Sequence, residues 1–527
     1  MNTGILMPPP SLARLHTKKE YDTYATYRPS TNKRVDRAVL HHVDSNWKPK
    51  NWKPNITMID LEWERVRVDD DLDVNHDPFE FAAASYWTIE KPTGLYDVMR
   101  DFFRNAVAAI YSLRGRITIE AIAGDVTTVL EQIRWGLVGH RSQGKSVEDT
   151  DGMSLDKLEI TTRNEYPSAY DCVHLSNIPD YIGGTIPIVL YALPIVFREP
   201  GSYVTFNCLR NTPRFGSHAH YNNEYAAGLS KPTDLEKTFQ ARLGKHDFDY
   251  LADYTSWYHS ETPIRHLQEL MPRTQLETWL YRFFLKTAIP YPRNPHNFAL
   301  IYSPLNLTAV FRVCELLHEA GYPAHWLSGV LSAIMSGSIT TTARPPRSEP
   351  LTLKEVKTIM PERTQSTRQF AAEMSTLATI WSTFSSFPIF SSQIPPIETI
   401  RQYRVRFDDD YPHPSNVVPT FVLVFMDMTK IADPGTLHTW LLDDELARRD
   451  KMAEQGRRGA MHVLTTWQYD CDERTAQFWL AKDVMGKMKQ GMWAVQIWRS
   501  DVYMPWTPHR VVGEDVEDTG KFWIADA

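Results

Sequence analysis

Between residues 116 and 209 the apolar residues of this chain switch repeatedly between a period of two and a period of 3.6. In RITIEAIAGDV, residues 116–126, Ile117, Ile119, Ala121 and Ala123 alternate as in a strand that ends at Gly124-Asp125. The short helical stretch VTTVLEQIRWGL follows. A second strand-like run, YDCVHLSN at 170–177, leads through IPDYIGG into the apolar helix candidate TIPIVLYALPIVF, and a third, SYVTFNCL, covers 202–209. Strand, helix, strand, helix, strand at these spacings predicts parallel α/β units, because a parallel pair needs a crossover long enough to hold a helix. The fold class expected is α/β: a Rossmann-like core with a helical insert and a β-rich α+β C-terminal part.

The rest of the chain divides around that core. Residues 1–92 read as an extended N-terminal arm, with PPP, KPKNWKP and the acidic run VRVDDDLDVNHDPFE. The core is expected at 93–230. It opens with a helix over 93–113, in which Leu95, Val98, Met99, Phe102, Phe103, Val107, Ile110 and Leu113 recur at helical spacing and Thr93 is the candidate N-cap. Residues 231–337 read as helical, 338–399 as a linker and helix, and 400–527 as the β-rich part. In that last part YRVRF, TFVLVFMD, AMHVLTTWQYD, QFWLAKDV and MWAVQIWRS read as antiparallel strands, with a helix candidate at 435–455.

Composition closes off some classes. The 527 residues carry 57 Lys and Arg against 64 Asp and Glu, a formal charge of -7, so the chain is no general nucleic-acid binder. Its four Cys are scattered with no CxxC pair, which excludes a Cys-based zinc finger and argues against a disulfide framework. The longest apolar stretch, Ile186 to Phe197, has 12 residues and two prolines, too short to span a bilayer. With no secretory pattern at the N-terminus, a cytoplasmic location without membrane association is expected. No GxSxG and no HExxH occurs.

In open α/β sheets ligands bind outside the carboxyl ends of the strands, and three motifs lie at such ends. Gly124 and Asp125 form the first; the glycine permits close backbone approach and the carboxylate can accept from a ribose, or simply cap the next helix. The second, HLSNIPDYIGG, offers Ser176, Asn177 and Tyr181 for substrate binding and Asp180 as a catalytic carboxylate. The third, NCLRNTPRFGSHAHYNNEY, offers Asn207, Arg210 and Asn222 for binding, and His218, His220 and Glu224 for acid-base work. On a strand His218 and His220 would share one face, but a metal site needs a third ligand such as Glu224, and no metal is expected. The acidic triplets at 69–71 and 408–410 and the Arg-rich stretch at 448–458 read as solvated surface.

At YDCVHLSNIPDYIGG the sequence resembles a fungal family built on a domain of unknown function. That domain often accompanies a MYND zinc finger and is related to the N-terminal part of the dynein axonemal assembly factors. The resemblance runs through VTFNCLRNTPRF, HYNNEY, LETWLYRFFLKTAIP and YSPLNLTAVFRV to about GYPAHWLS, roughly residues 93–330. It implies a class I methyltransferase-like core, although the glycine loop GxGxG and the MYND cysteines are both absent here. Three functions follow as expectations. One is a group-transfer enzyme of fungal specialised metabolism acting on a small molecule, with S-adenosylmethionine bordered by Gly124 and Asp125 in its methyltransferase form. Another is a tRNA-dependent cyclodipeptide synthase of the arginine-containing fungal type taking an aminoacyl substrate; the net charge does not favour the tRNA it would need. The last is a non-catalytic assembly or scaffold protein with a protein partner.

Overall fold

The computed structural model describes residues 95–113, 122–138, 167–208, 218–260, 266–289, 305–343, 352–407, 421–430, 459–470, 473–499 and 509–523, with short gaps inside some of these stretches. The chain divides into two compact units, Met1–Ile122 and Ala123–Ala527. In the first, α1 (Leu95–Ser112) is the helix that the apolar spacing predicts. Its C-terminal half carries that stripe exposed, with Val107 63% and Ile110 54% accessible. Thr93 and the strand expected before Gly124 lie outside the described residues, as do the helix expected at 435–455 and Arg210.

The second unit opens with α2 (Val126–Arg134). The strand β1 (Cys172–Leu175) follows, then the short helix α3 (Pro179–Ile182), and three helical turns run on through Thr185–Pro187, Ile188–Ala192 and Leu193–Ile195. Two prolines without N–H interrupt this crossover, and its middle turn is π-helical. Nearly every residue in it is buried, from Ile186 to Val196. It returns the chain to β2 (Tyr203–Cys208), which pairs parallel to β1 with Leu175 opposite Phe206.

Beyond β2 the sheet departs from the expected pattern. After α4 (His218–Tyr225) and α5 (Pro232–Phe239), the strands β3 (Ala241–Leu243), β4 (Asp247–Asp249) and β5 (Ala252–His259) fill a stretch that had read as helical. Thr255 and Trp257 are buried while Ser256 and Tyr258 are half-exposed, the period of a strand with one covered face. β5 runs antiparallel to both β2 and β3, so the sheet order is β1-β2-β5-β3 with β4 on β5. One parallel pair, β1–β2, occurs among the described residues. The structure thus establishes a mixture of helices and sheets; of the Rossmann-like pattern it carries one crossover.

Three helices, α6 (Arg273–Ala288), α7 (Thr308–Glu319) and α8 (Ala324–Met335), pack beside this sheet in one continuous core. Phe283, Phe284, Val310, Val313, Leu317 and Leu331 are all buried there. The segment after α8 forms an antiparallel pair, β6 (Ser338–Thr341) with β7 (Arg363–Ser366), followed by α9 (Ala371–Trp381).

The C-terminal strands are antiparallel, as their alternation predicts. They are β8 (Ile400–Arg406), β9 (Phe421–Asp427), β10 (Met461–Leu464), β11 (Trp467–Asp470) and β12 (Thr475–Ala481), then α10 (Lys482–Gln490), β13 (Trp493–Arg499), β14 (His509–Arg510) and β15 (Val516–Phe522). The run AMHVLTTWQYD is two strands rather than one, and QFWLAKDV turns helical after Ala481. The strands form two four-stranded sheets, β10-β9-β13-β14 and β11-β12-β8-β15. Phe425 of one meets Phe478 of the other, ring centroids 5.4 Å apart. Strand β9 is apolar from Phe421 to Met426 because both its faces are covered: Leu423 and Phe425 join the core between the two sheets, and Val422, Val424 and Met426 join the core of the helices. No helix among the described residues is long and apolar enough to cross a membrane.

Candidate functional site

The carboxyl ends of β1 and β2 are tied together by a side chain. The backbone N–H of Asn177 donates to Asn207 Oδ1 at 2.6 Å. Asn177 takes φ +55°, a left-handed conformation that asparagine tolerates better than most residues. The chain then enters α3, whose first turn holds Asp180, fully buried. Gly183 ends that helix at φ +99°, and Gly184 follows at +84°. A Cβ on Gly184 would sit 2.1 Å from Cδ1 of Tyr225, so only glycine lets α4 approach this closely.

Helix α4 brings a row of polar groups to the same place. Asn222 is fully buried; its Oδ1 lies 3.5 Å from the Thr185 hydroxyl, and its Nδ2 has no hydrogen-bond partner among the described residues. The Tyr221 hydroxyl lies 3.0 Å from Cys208 Sγ, and the Tyr221 and Tyr225 rings are 4.7 Å apart. Burial pushes the Tyr221 phenol well above its ordinary range, with Cys208, Tyr225 and the Asp180 carboxylate adding to the effect. His220 is buried on this helix as well.

Helix α6 closes the group from the other side. Lys286 Nζ donates to the carbonyl of Glu224 and lies 5.4 Å from the centroid of the Tyr225 ring. Trp279 Nε1 donates to the Ala226 carbonyl at 3.0 Å and Arg282 Nη1 to that of Ala227 at 3.4 Å. Three side chains thus donate to carbonyls at and just beyond the end of α4, two of them cationic as the helix dipole favours. Burial pushes the Lys286 ammonium down to about 8, partly offset by the Glu224 charge.

Of the residues predicted from sequence, Asn177, Asp180, Asn207, His220 and Asn222 are brought into this region. Ser176 and Tyr181 are solvent-exposed, Tyr181 by 46%. Glu224 enters through its backbone carbonyl. His218 begins α4, and there the expectation of a shared strand face is corrected: residues two apart on a helix differ by about 200° around its axis. Among the described residues no three His, Cys, Asp or Glu side chains gather to hold a metal ion.

Gly124 and Asp125 serve the start of α2. Asp125 Oδ1 accepts from the N–H groups of Thr127 and Thr128 at 3.0 and 3.1 Å, and these bonds hold its carboxyl below the usual carboxylate range although burial opposes them. A Cβ on Gly124 would meet Val129 at 2.9 Å. Of the two roles open to this pair, the geometry shows the helix cap.

Sequence reasoning missed Lys286, Tyr221, Cys208 and Thr185 as members of the cluster. The one signal was Lys286 itself, a charge directly after Phe283, Phe284 and Leu285 on a helix that otherwise reads as core. No family model, curated protein or solved structure matches the chain.

Proposed function

We propose that this protein is a group-transfer enzyme acting on a small molecule, with its reacting centre at the carboxyl ends of β1 and β2. The observation that carries the reading is that Asp180 and Asn222, on the short helices that follow β1 and β2, are both fully buried. A buried carboxylate and a buried amide donor are costly to keep, and such groups concentrate where a ligand or a reacting atom is to be held. In this reading Asp180 takes or holds a proton, Asn222 Nδ2 donates to the substrate, and Asn177 and Asn207 fix the strand ends on which both depend. Lys286 sets the electrostatics from behind Tyr225. The resemblance to methyltransferase-like cores agrees with the class of reaction, while the capping role of Asp125 leaves the donor open.

A second reading, a non-catalytic assembly protein, has one observation in its favour: the Tyr225 ring fills the space over Gly184. One experiment separates the two. The full chain is expressed in a bacterial host and its extract compared by mass spectrometry with that of the Asp180→Asn variant. The enzyme reading expects a new product that disappears in the variant while circular dichroism shows that the variant is folded. Soluble, folded wild-type protein that yields no product, or a variant that retains full turnover, would overturn it in favour of the assembly reading.

A further inference from the structure

A cavity of about 70 Å³ lies at the other end of the sheet. Its lining includes His259, the last residue of β5, and β5 runs antiparallel to β2 with Trp257 opposite Val204. His259 is therefore level with the start of β2, opposite in direction to the strand ends that hold Asp180 and Asn222. Arg134 from the last turn of α2, Arg198 from the loop before β2, Gln240 from the end of α5 and Glu319 from the end of α7 complete the polar lining. The space is several times what one water needs and well short of that for a large ligand.

The charges around it do not balance. Arg134 pairs with Glu319 at 3.3 Å and is only 18% exposed. Burial lowers its pKa, and the neighbouring guanidinium of Arg312, which is itself paired with Glu131, lowers it further. Arg198 has no carboxylate partner among the described residues. His259 Nε2 lies 3.1 Å from the Val196 carbonyl, which can only accept, so that nitrogen carries the proton. Burial and then Arg198 push the His259 pKa down. Among the described residues two guanidiniums, one half-buried and one exposed, and a neutral imidazole thus face one carboxylate, an excess of one positive charge.

We propose that this cavity binds a single oxyanion, the phosphate or carboxylate group of a small molecule, between Arg134 and Arg198. Guanidinium forks match both groups in geometry, and the partial burial of Arg134 strengthens its contact over what it would be in water. Gln240, whose Nε2 already donates to the Ala320 carbonyl at 2.9 Å, helps shape the polar wall. The site is separate from the proposed reacting centre and stands or falls apart from it.

The test is calorimetric titration of the full chain at low ionic strength with inorganic phosphate and, separately, with acetate. Saturable binding of either, weakened at least about tenfold in Arg198→Gln, supports the proposal, because the variant removes a charge-assisted hydrogen bond. Phosphate alone would assign a phosphoryl ligand and acetate alone a carboxylate. Arg198 is exposed, so this variant keeps the fold. Glu319→Gln, which removes the competing carboxylate, should tighten binding, and the His259 ring pKa followed by NMR should rise on saturation as the anion offsets Arg198. No saturable heat with either anion, equal affinity in Arg198→Gln, weaker binding in Glu319→Gln or an unmoved His259 pKa would each overturn the proposal.

Discussion

Glu373 offers the sharpest test of how the helices are joined to the C-terminal sheets. It lies on α9, 2% exposed, beneath the two residues that link β10 to β11. The Thr465 N–H donates to both carboxylate oxygens at 2.9 and 2.8 Å, the Thr466 N–H to Oε1 at 2.6 Å, and the Thr465 hydroxyl to Oε1 at 3.0 Å. That hydroxyl in turn accepts the N–H of Leu307, just before α7, at 2.8 Å. One carboxyl group therefore connects α9, the β10–β11 link and the start of α7. Burial pushes its pKa up from 4.5 to about 7, more than the hydrogen bonds to the ionised form hold it down.

The folded pKa is above the unfolded one, so the group's contribution to stability is complete below about 4.5 and is lost as pH rises through about 7. A shift of this size corresponds to about 3 kcal/mol. Glu373→Gln is nearly isosteric and neutral at every pH, so it lacks this dependence. Relative to wild type, the variant should gain about 3 kcal/mol between pH 4.5 and 8. Urea unfolding of both proteins at the two pH values, followed by tryptophan fluorescence and circular dichroism, measures the change. Comparing the two proteins cancels every other titrating group they share. A gap that stays constant within about 1 kcal/mol, or moves toward wild type as pH rises, would refute the reasoning.

Three further outcomes are expected. Gly184→Ala places a methyl group against Tyr225 in a left-handed conformation and should cost about 2–4 kcal/mol in chemical denaturation; a cost below 1 would mean that α4 is free to move away. Asp125→Ala should lose about 1 kcal/mol and Asp125→Asn much less, because the asparagine oxygen can still cap α2; equal losses would contradict the cap. His462 stacks on Trp493 at 5.1 Å, and burial, with Lys487 nearby, pushes its pKa down to about 4. Its contribution to stability is present above about 6.5 and is lost as pH falls toward 4, so His462→Phe should remove about 3 kcal/mol of acid sensitivity between those values; unchanged acid unfolding would refute the assignment.

The sequence by itself determined most of the local structure. Period-two alternation identified β1 and β2, strand-like runs marked β8 to β13, and helical spacing identified α1, because each pattern is written in near neighbours along the chain; β14 and β15 went unread. It also marked HLSNIPDYIGG and HAHYNNEY as unusual, and both supply fully buried polar residues, Asp180 and Asn222. What it could not decide was pairing. β5 had read as helical, though DYTSWYH alternates, and nothing local says that it runs antiparallel to β2 and turns an expected parallel sheet into a mixed one. The same holds for Lys286, whose chemistry comes from the Glu224 carbonyl and the Tyr225 ring, 62 and 61 residues away in the chain. It holds too for the cavity, where Arg134, Arg198, His259 and Glu319 come from four separate elements. Periodicity is written in neighbours along the chain, whereas pKa, strand direction and the balance of charge in a cavity are fixed by neighbours in space, which only the tertiary structure decided.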